Sequence, residues 1–383
     1  MRTIGIITVS RSDFGIYTPV LRAIESRSDL QSRLYVSGAH LSSDFGLTSK
    51  SIEAAGFEIH ERIEMLLSSD TPTGIAKSMG LGTIGFADAF MRDRPDLLVA
   101  LGDRFEMHSA VVAAMPLRIP VAHIHGGELS EGAIDDAFRH SITKLSHLHF
   151  VAAADYARRV IQLGEEPWRV TVSGAPSLDN LKTIDWLSRS ELEEKFRLDL
   201  SQPFLLATYH PVTLEEEQTG EQIRNLLSAL TSLDMPVVFT YPGADAQSHF
   251  IIEAIEQYAQ EHRFAQLAVS LGTQAYFSMM KIAAAMVGNS SSGIIEAASF
   301  QLPVVNIGNR QRGRIRAGNV IDVGSSSSEV LGGIKQAIDP DFRAGLATLQ
   351  NPYGDGNAAE KIVNALASIE INQKLLMKRF QDA

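Results

Sequence analysis

The sequence predicts an α/β protein built from two Rossmann-like domains, each a doubly wound parallel sheet. Two observations predict this fold class. The chain has 383 residues, and at about 150 residues per domain this length suggests two domains. Short apolar runs rich in valine and isoleucine recur along the chain, and most are followed by a segment of helix length. This alternation is typical of buried parallel strands joined by crossover helices.

The apolar runs of the first half end in small or polar residues, as buried strands do where they turn into loops. We predict strands over residues 3–10, 34–38, 96–103, 121–127, 148–153 and 170–174. A linker that contains a tryptophan follows, from Pro176 through residue 190. We therefore place an N-terminal domain at residues 1–175.

The alternation restarts after this linker and predicts a C-terminal domain over residues 176–365. We predict its strands over residues 204–211, 236–243, 267–272, 283–293, 302–309 and 319–324. Helices are predicted over residues 215–233, 246–262 and 358–369, and the serine run Ser325–Ser328 is predicted as a loop. Residues 366–383 are predicted as a C-terminal helix that could pack back on the N-terminal domain.

Composition and charge limit the classes of function. The formal net charge is −11, and no basic block of five or more residues occurs, so we expect no nucleic-acid partner. Cysteine is absent, which excludes disulfides, thiolate metal sites and thiol nucleophiles. The N-terminus has no signal-peptide pattern, and no apolar run approaches the roughly 20 residues of a membrane span. We expect a cytoplasmic protein without a membrane partner.

Chemically informative residues follow the predicted strands, where parallel sheets bind their ligands. Few of them are residues that a protein core would select. They are Ser10, Arg11 and Asp13; Gly38 and His40; Gly102, Asp103 and Arg104; His125 to Glu128; His210; Pro242 to Asp245; Asn289 to Ser292; and Asn309 and Arg310.

In the second half, the stretch GNSSSG at residues 288–293 passes from a strand end into a predicted helix. Backbone N–H groups and hydroxyls at such a helix start suit a phosphate, although one serine could simply cap the helix. Glu296, on the first turns, could accept the hydroxyls of a ribose, while Arg310 and His210 could donate to a diphosphate. Neither a Walker A motif nor G-x-G-x-x-G is present, so a nucleotide sugar fits better than ATP or a dinucleotide.

The segment at residues 123–140, HIHGGELSEGAIDDAFRH, concentrates titratable groups after a predicted strand. Carboxylates and a histidine in a cleft can transfer protons near neutral pH, because neighbouring charges shift their pKa values apart. An alternative is a metal site, since His123 and His125 alternate along the strand and would project to one face.

Structural roles are open for several of these residues. Asp135 or Asp136 could cap a helix, and Asp245 could either reach the ligand or cap the next helix. His40 is predicted to bind the substrate through a contact with the sugar, and the alternative is packing within its loop. His140 and His147 are expected to be structural.

Taken together, these motifs resemble the hydrolysing UDP-N-acetylglucosamine 2-epimerases over nearly the whole chain. The resemblance rests on SRSDFG (10–15), GDRFE (102–106), HIHGGELSEGAIDDAFRHSITKLSH (123–147), YHPVT (209–213), GNSSSGIIEA (288–297), PVVNIGNRQRGR (303–314) and YGDGNA (353–358). It implies a glycosyltransferase B fold with the active site between two Rossmann-like halves. It also implies conversion of UDP-N-acetylglucosamine and water to N-acetylmannosamine and UDP, through a glycal, for sialic acid biosynthesis.

The same resemblance implies roles for individual residues. Asp103 and Asp135 match acidic residues implicated in catalysis, and Glu128 lies in the same GGE element. His125 stands where hydrolysing members often carry a glutamate assigned to chemistry, so we add it to the proton-transfer groups without dividing the steps among them. The residues that match UDP-holding positions are Arg11, Arg104, His210, Ser290, Ser291, Glu296 and Arg310.

The resemblance leaves alternatives for substrate and reaction. Close relatives act on a 2,4-diacetamido-2,4,6-trideoxy sugar nucleotide, UDP-N,N'-diacetylbacillosamine, toward legionaminic acid. A glycosyltransferase or a non-hydrolysing epimerase would share the fold. The expected partners are a UDP-sugar, UDP and further copies of the chain in a homodimer or homotetramer, and we expect no metal or organic cofactor.

Overall fold

The chain forms two compact units, seen here in a computed structural model that describes residues 1–43, 46–69, 71–131, 133–212, 215–242, 248–269 and 271–382. The first unit contains residues 1–128, 135–182 and 353–383, and the second contains residues 129–134 and 183–352. In the described part of the chain, no helix combines the length and the apolar character that crossing a lipid bilayer would need.

Each unit is organised around a parallel sheet. In the first unit the strands are β1 (Arg2–Thr8), β2 (Leu30–Ser37), β3 (Ile59–Ile63), β4 (Leu97–Leu101), β5 (Val121–Ile124), β6 (Leu148–Val151) and β7 (Val170–Val172). In the second they are β8 (Leu205–Thr208), β9 (Val237–Thr240), β10 (Ala265–Leu267), β11 (Ala285–Gly288), β12 (Val304–Ile307) and β13 (Val320–Val323). The strand orders are β3-β2-β1-β4-β5-β6-β7 and β10-β9-β8-β11-β12-β13.

Helices follow most strands, as right-handed crossovers between parallel strands require. They are α1 (Arg11–Glu25), α2 (Ser49–Ala54), α3 (Pro72–Arg92), α4 (Phe105–Ala114), α5 (Asp135–Leu145), α6 (Ala154–Gln162), α7 (Arg189–Phe196), α8 (Thr219–Thr231), α9 (Ser248–Glu261), α10 (Gly272–Ile282), α11 (Ser291–Ile295), α12 (Ser327–Ala337), α13 (Pro340–Gly345), α14 (Ala358–Ser368) and α15 (Gln373–Leu376).

Burial explains why the strands were predictable. The central strands β4 and β5 are buried at every position, with sequences LLVAL and VAHI, and continuous apolar runs are what a strand covered on both faces needs. Each unit has its own core of aliphatic and aromatic side chains that line the sheet faces and the inner faces of the helices.

Some predicted elements differ from those observed. Strand β3 was not predicted, because its sequence IHERI is largely polar and only Ile63 is buried. The strand predicted over residues 267–272 lies at Ala265–Leu267 instead. The serine run predicted as a loop caps α12, since the Ser326 side chain accepts a hydrogen bond from the N–H of Glu329.

The C-terminal residues 353–383 belong to the first unit. Arg169, which is 1% exposed, donates to the carbonyl oxygens of Leu375 and Lys374 at 2.9 and 3.0 Å. Lys378 reaches the buried carboxylate of Glu165 at 2.8 Å. The end of the chain is therefore held by a buried arginine and a buried ion pair rather than by a long helix.

Both sheets reverse their strand order once. In the first unit the chain builds β2 and β3 on one side of β1, and then β4 to β7 on the other. In the second it builds β9 and β10 on one side of β8, and then β11 to β13 on the other. Loops diverge at such a switch point and leave a crevice at the carboxyl ends of the strands, where open α/β sheets bind ligands.

Candidate functional site

The predicted site residues of the first unit lie at the carboxyl ends of neighbouring strands. Arg11 begins α1 directly after β1. Asp103 and Arg104 follow β4, and His125 follows β5. Since β1 pairs with β4 and β4 pairs with β5, these residues gather around the switch point of this sheet.

Asp103 is held by an arginine that sequence reasoning missed. The guanidinium of Arg139, on α5, donates to the Asp103 carboxylate, and the arginine side chain is 2% exposed while that of Asp103 is 22% exposed. A buried guanidinium fixes the orientation of the carboxylate that it contacts. Beside it, Arg104 lies 3.3 Å from Glu106, a carboxylate that is almost fully buried.

His125 and Glu128 form a buried pair. The imidazole Nδ1 lies 2.6 Å from Glu128 Oε1, and the two side chains are 8% and 1% exposed. His125 has φ of 64°, a left-handed conformation that costs a non-glycine residue about 1–2 kcal/mol. Its backbone N–H donates to Phe150 O at 3.0 Å, which fixes the turn against β6. Such local strain is typical of functional positions.

The prediction that His123 and His125 project from one strand face as a possible metal pair is wrong. Strand β5 ends at Ile124 and His125 turns away in its left-handed conformation. His123 uses both ring nitrogens within the protein, with Nε2 2.8 Å from Gly102 O and Nδ1 3.1 Å from Thr143 Oγ1. Burial lowers the pKa of His123 to about 3, so the ring is neutral near pH 7. Its hydrogen bond to Gly102 O supports the loop that carries Asp103.

Asp135 is the first residue of α5, with Asp136 next to it in the first turn. Both carboxylates therefore lie at the positive end of the helix dipole. Asp136 Oδ2 lies 3.4 Å from His140 Nε2, one helical turn further on. His147, which was expected to be structural, accepts a hydrogen bond at Nδ1 from the backbone N–H of Val121 at 3.2 Å. This contact with the start of β5 is a structural role.

His40 is packed inside the first unit. It is 1% exposed, and its ring nitrogens lie 2.9 Å from Thr8 Oγ1 and 2.7 Å from Thr48 Oγ1. Thr8 in turn donates to Asp13. Contact with a ligand would require His40 to exchange one of these bonds, so the geometry favours the packing role over the sugar contact.

In the second unit, Asn289 connects three loops at the switch point. It is fully buried, and its amide accepts from His210 N at 2.7 Å and donates to His210 O at 2.8 Å. Its own carbonyl accepts from Arg310 at 3.2 Å and from Gln311 at 2.8 Å. The loops that carry the predicted diphosphate ligands His210 and Arg310 are therefore tied to the end of β11.

Close approach of two strands explains the glycine before Asn289. Gly288 has φ of 137°, and a Cβ there would overlap the carbonyl oxygen of Thr208. Only glycine tolerates this combination of conformation and crowding. It brings the end of β11 against β8, so that the serines that follow start beside His210.

Ser290 caps α11, its side chain accepting from the N–H of Ser292 at 3.4 Å. Ser290 and Ser291 are both half-buried, as ligand-facing hydroxyls at the edge of a crevice are. The helix is shorter than predicted: it spans Ser291–Ile295, and Glu296 is its C-terminal cap rather than part of its first turns. Glu296 is 6% exposed.

Tyr276 of α10 lies among the candidate UDP ligands, although the sequence did not indicate it. Its hydroxyl lies among the hydroxyls of Thr208, Ser290 and Ser292 and near the carboxylate of Glu296. Burial and that carboxylate raise the pKa of Tyr276 to about 12, which keeps the phenol protonated. Nothing in its surrounding sequence, GTQAYFSMM, distinguishes this tyrosine from one that packs in the core.

The stretch between Glu128 and Asp135 groups with the second unit. Leu129 O accepts from Arg314 at 3.4 Å, and Glu131 pairs with Arg312 at 3.1 Å. Asp245, for which the sequence left a ligand role and a cap open, lies outside the described residues.

Chemically, the two units offer different groups. The first places carboxylates and an imidazole at its strand ends, which can move protons. The second places serine hydroxyls, an arginine and a histidine around a strand end, which can hold an anion. Among the described residues, no group of three or more histidine, aspartate or glutamate side chains is arranged to hold a metal ion.

Comparison with known proteins identifies the family. The family model described as UDP-N-acetylglucosamine 2-epimerase matches residues 22–367. The chain is 42% identical, over 84% of each chain, to a Campylobacter jejuni protein named GDP/UDP-N,N'-diacetylbacillosamine 2-epimerase (hydrolyzing). It is 35% identical, over 99% of each chain, to a Legionella pneumophila protein named UDP-N,N'-diacetylbacillosamine 2-epimerase (hydrolyzing).

Solved structures show the same fold. A UDP-GlcNAc 2-epimerase from Neisseria meningitidis bound to UDP-GlcNAc superposes with a TM-score of 0.83 at 19% identity, covering 96% of this chain and 99% of that one. A Staphylococcus aureus structure with UDP gives 0.81 at 20% identity, over 96% of both chains. The predicted fold class, two parallel-sheet α/β domains of the glycosyltransferase B type, is confirmed. The chain belongs to the UDP-N-acetylglucosamine 2-epimerase family.

Proposed function

We propose that the chain is a hydrolysing UDP-sugar 2-epimerase whose substrate is UDP-N,N'-diacetylbacillosamine. The observation that carries the proposal is the similarity to the Legionella protein of that name, which extends over 99% of both chains. The Campylobacter relative, at 42% identity, is named for the same sugar. The sequence placed this substrate second, after UDP-N-acetylglucosamine, and the similarities reverse that order.

The reaction needs a proton acceptor, a proton donor and groups that bind the leaving diphosphate. A base takes the proton from C2 of the sugar while the C1–O bond breaks and UDP leaves, which gives a glycal. Water then adds its hydroxyl to C1 and a proton to the opposite face of C2. Asp103, His125, Glu128 and Asp135 supply the proton-transfer groups, each such group being worth typically 10²- to 10⁴-fold in rate.

The second unit supplies most of the proposed UDP-binding groups. Negative charge grows on the diphosphate as the C1–O bond breaks, and donors fixed around it stabilise that charge by about 3–4 kcal/mol each. Ser290, Ser291, His210 and Arg310 are the proposed diphosphate donors, and the buried Glu296 accepts the ribose hydroxyls. Arg11 and Arg104, at the strand ends of the first unit, complete the set of UDP ligands.

UDP-N-acetylglucosamine is the second candidate substrate. A Neisseria meningitidis relative, 32% identical over 88% of each chain, is named UDP-N-acetylglucosamine 2-epimerase. The two sugars differ at C4 and C6, whereas the chemistry at C1 and C2 is the same. A single enzyme assay with both sugars therefore separates them.

The test is incubation with each UDP-sugar in D2O, followed by NMR. We expect free UDP and free 2-epimerised sugar with one solvent deuteron at C2, formed at least tenfold faster from UDP-N,N'-diacetylbacillosamine. Recovery of an intact 2-epimerised UDP-sugar would show a non-hydrolysing enzyme. Product that forms only with an added acceptor would show a glycosyltransferase.

A pair of arginine variants tests the UDP site separately. Arg310→Ala should weaken UDP binding at least tenfold, because it removes a charge-assisted donor. Arg312→Ala is the matched control: its side chain is 70% exposed and pairs with Glu131, so UDP affinity should stay within twofold. Calorimetric titration with UDP measures both, and equal affinities in the two variants would remove Arg310 from the site.

Homodimer or homotetramer formation is part of the proposal. Helix α3 exposes Leu81, Ile84 and Met91, with 44%, 63% and 69% of their surface accessible. These positions share one face of the helix, and contiguous exposed apolar side chains are typical of protein interfaces. Light scattering on the wild type and on Ile84→Arg tests this, since the charge should shift the mass toward that of the 41.7 kDa chain.

A further inference from the structure

We propose that Glu128 is a positioning residue that holds the Nδ1 edge of His125, so that Nε2 of His125 is the atom that accepts the proton in the reaction. This inference rests on the proposed function and assigns different tasks to two residues that the sequence placed together as proton-transfer groups. The imidazole acts on the substrate, and the carboxylate acts through the imidazole.

The assignment of Nε2 follows from the hydrogen bonds of the ring. Glu128 Oε1 lies 2.6 Å from His125 Nδ1, so a carboxylate there accepts the Nδ1 proton and leaves Nε2 as the basic nitrogen. Within the described part of the chain, no hydrogen bond from Nε2 of His125 is observed. One edge of the ring is therefore fixed by the protein, and the other is left for a substrate or water.

The two side chains differ in burial, which supports different roles for Glu128 and His125. The Glu128 side chain is 1% exposed, whereas that of His125 is 8% exposed. A carboxylate shielded to this degree exchanges protons with a ligand less readily than the ring that covers it. The pair thus has the arrangement of a base oriented by a buried acid, a combination that recurs wherever a histidine must present one particular nitrogen.

Contacts with neighbouring elements hold the turn that carries the pair. His125 is anchored to β6 by its N–H bond to Phe150 O. Gly127 has φ of 76°, and a Cβ there would lie 2.5 Å from the carbonyl oxygen of Tyr156 on α6. Arg159, also on α6, donates to Gly127 O. The geometry of the pair is therefore built into the fold before any ligand binds.

The experiment compares Glu128→Gln, His125→Gln and the double variant in UDP release from the faster UDP-sugar. Glu128→Gln retains an oxygen acceptor for Nδ1–H but loses the charge. We expect kcat to fall about 10- to 100-fold, as for other residues that orient a reacting group, with KM within twofold. Glu128→Asp, which restores the charge at a shorter reach, should recover part of the activity.

The double variant decides whether Glu128 acts through His125. If it does, the double variant is no slower than His125→Gln alone, because the carboxylate has nothing left to position. A double variant slower by the product of the two single effects would overturn the proposal. So would a Glu128→Gln variant with an unchanged kcat.

Nitrogen-15 NMR of the histidine rings separates this proposal from the proposed function. In the wild type we expect the Nδ1–H form of His125, and in Glu128→Gln a mixture of both neutral forms, whether or not UDP is released. If Glu128→Gln fails to fold, the wild-type spectrum alone still tests the tautomer, and Glu128→Asp should keep the Nδ1–H form. An Nε2–H form in the wild type would overturn the positioning role even in an active enzyme, while an inactive enzyme with the Nδ1–H form would overturn only the proposed function.

Discussion

Arg139 on α5 donates a hydrogen bond to the carboxylate of Asp103, which follows β4 in the first unit. The guanidinium is buried and the carboxylate is partly exposed, so the arginine orients a carboxylate that remains within reach of solvent. One helical turn further along α5, Thr143 holds His123, which lies under Gly102. A single helix face therefore supports both the backbone and the side chain of the loop that carries Asp103.

Replacing Asp103 with asparagine should lower the rate of UDP release by about 10²- to 10⁴-fold, since an amide cannot exchange the proton. UDP affinity should stay within about threefold, because the proposed diphosphate donors lie in the second unit. Steady-state kinetics and calorimetric titration with UDP measure the two effects. Asp155→Asn is the control, as that carboxylate is 54% exposed and pairs with Arg158 one turn along α6. Unchanged turnover in Asp103→Asn would remove the residue from the mechanism.

The sequence predicted what depends on local pattern. The buried strands were recognisable because their apolar runs are continuous. The candidate site residues after β4, β5 and β11 were selected because polar groups follow those runs. Arg139 was missed since it lies within α5, where an arginine is ordinarily solvated. The partners of His123 and His40 come from other elements, so only the folded chain shows that both rings are engaged within the protein.

Replacing Asn289 with alanine should destabilise the second unit by about 2–4 kcal/mol. The change removes two hydrogen bonds to the partly buried backbone of His210 and the buried side-chain amide that makes them. UDP affinity should fall with it, because the loop that carries His210 loses its tie to β11. Urea unfolding measures the stability. Asn309→Ala, an exposed asparagine with one bond to Glu215, should cost less than about 1 kcal/mol, and equal losses in both variants would contradict the role of Asn289 as the connecting residue.

Replacing Gly288 with alanine should be among the most destabilising single changes in the second unit, by about 3 kcal/mol or more. The added Cβ meets the Thr208 carbonyl at a backbone φ of 137°, so β8 and β11 must move apart. Gly332→Ala is the opposite control: it lies within α12, and a Cβ there meets nothing within 4 Å. It should stabilise the helix by up to about 1 kcal/mol. Thermal unfolding measures both, and a tolerated Gly288→Ala would show that the two strands can separate at little cost.

The buried imidazole of His123 should make the stability of the first unit depend on pH. Burial lowers its pKa from 6.5 to about 3 in the folded chain, whereas in the unfolded chain it keeps its ordinary value. Between these two values the unfolded chain binds one more proton, so the free energy of unfolding falls as the pH drops from about 6.5 toward 3. His147, whose pKa is lowered to about 4, contributes in the same direction.

His123→Gln removes the side chain that binds this additional proton in the unfolded chain. The free energy of unfolding of that variant, measured by urea titration at several pH values, should fall less steeply below pH 6.5 than that of the wild type, even if the variant is less stable near neutrality. An identical slope in His123→Gln and the wild type would mean that the ring takes up its proton as readily in the folded chain as in the unfolded chain. The conclusion that His123 is a neutral support beneath the Asp103 loop would then be wrong.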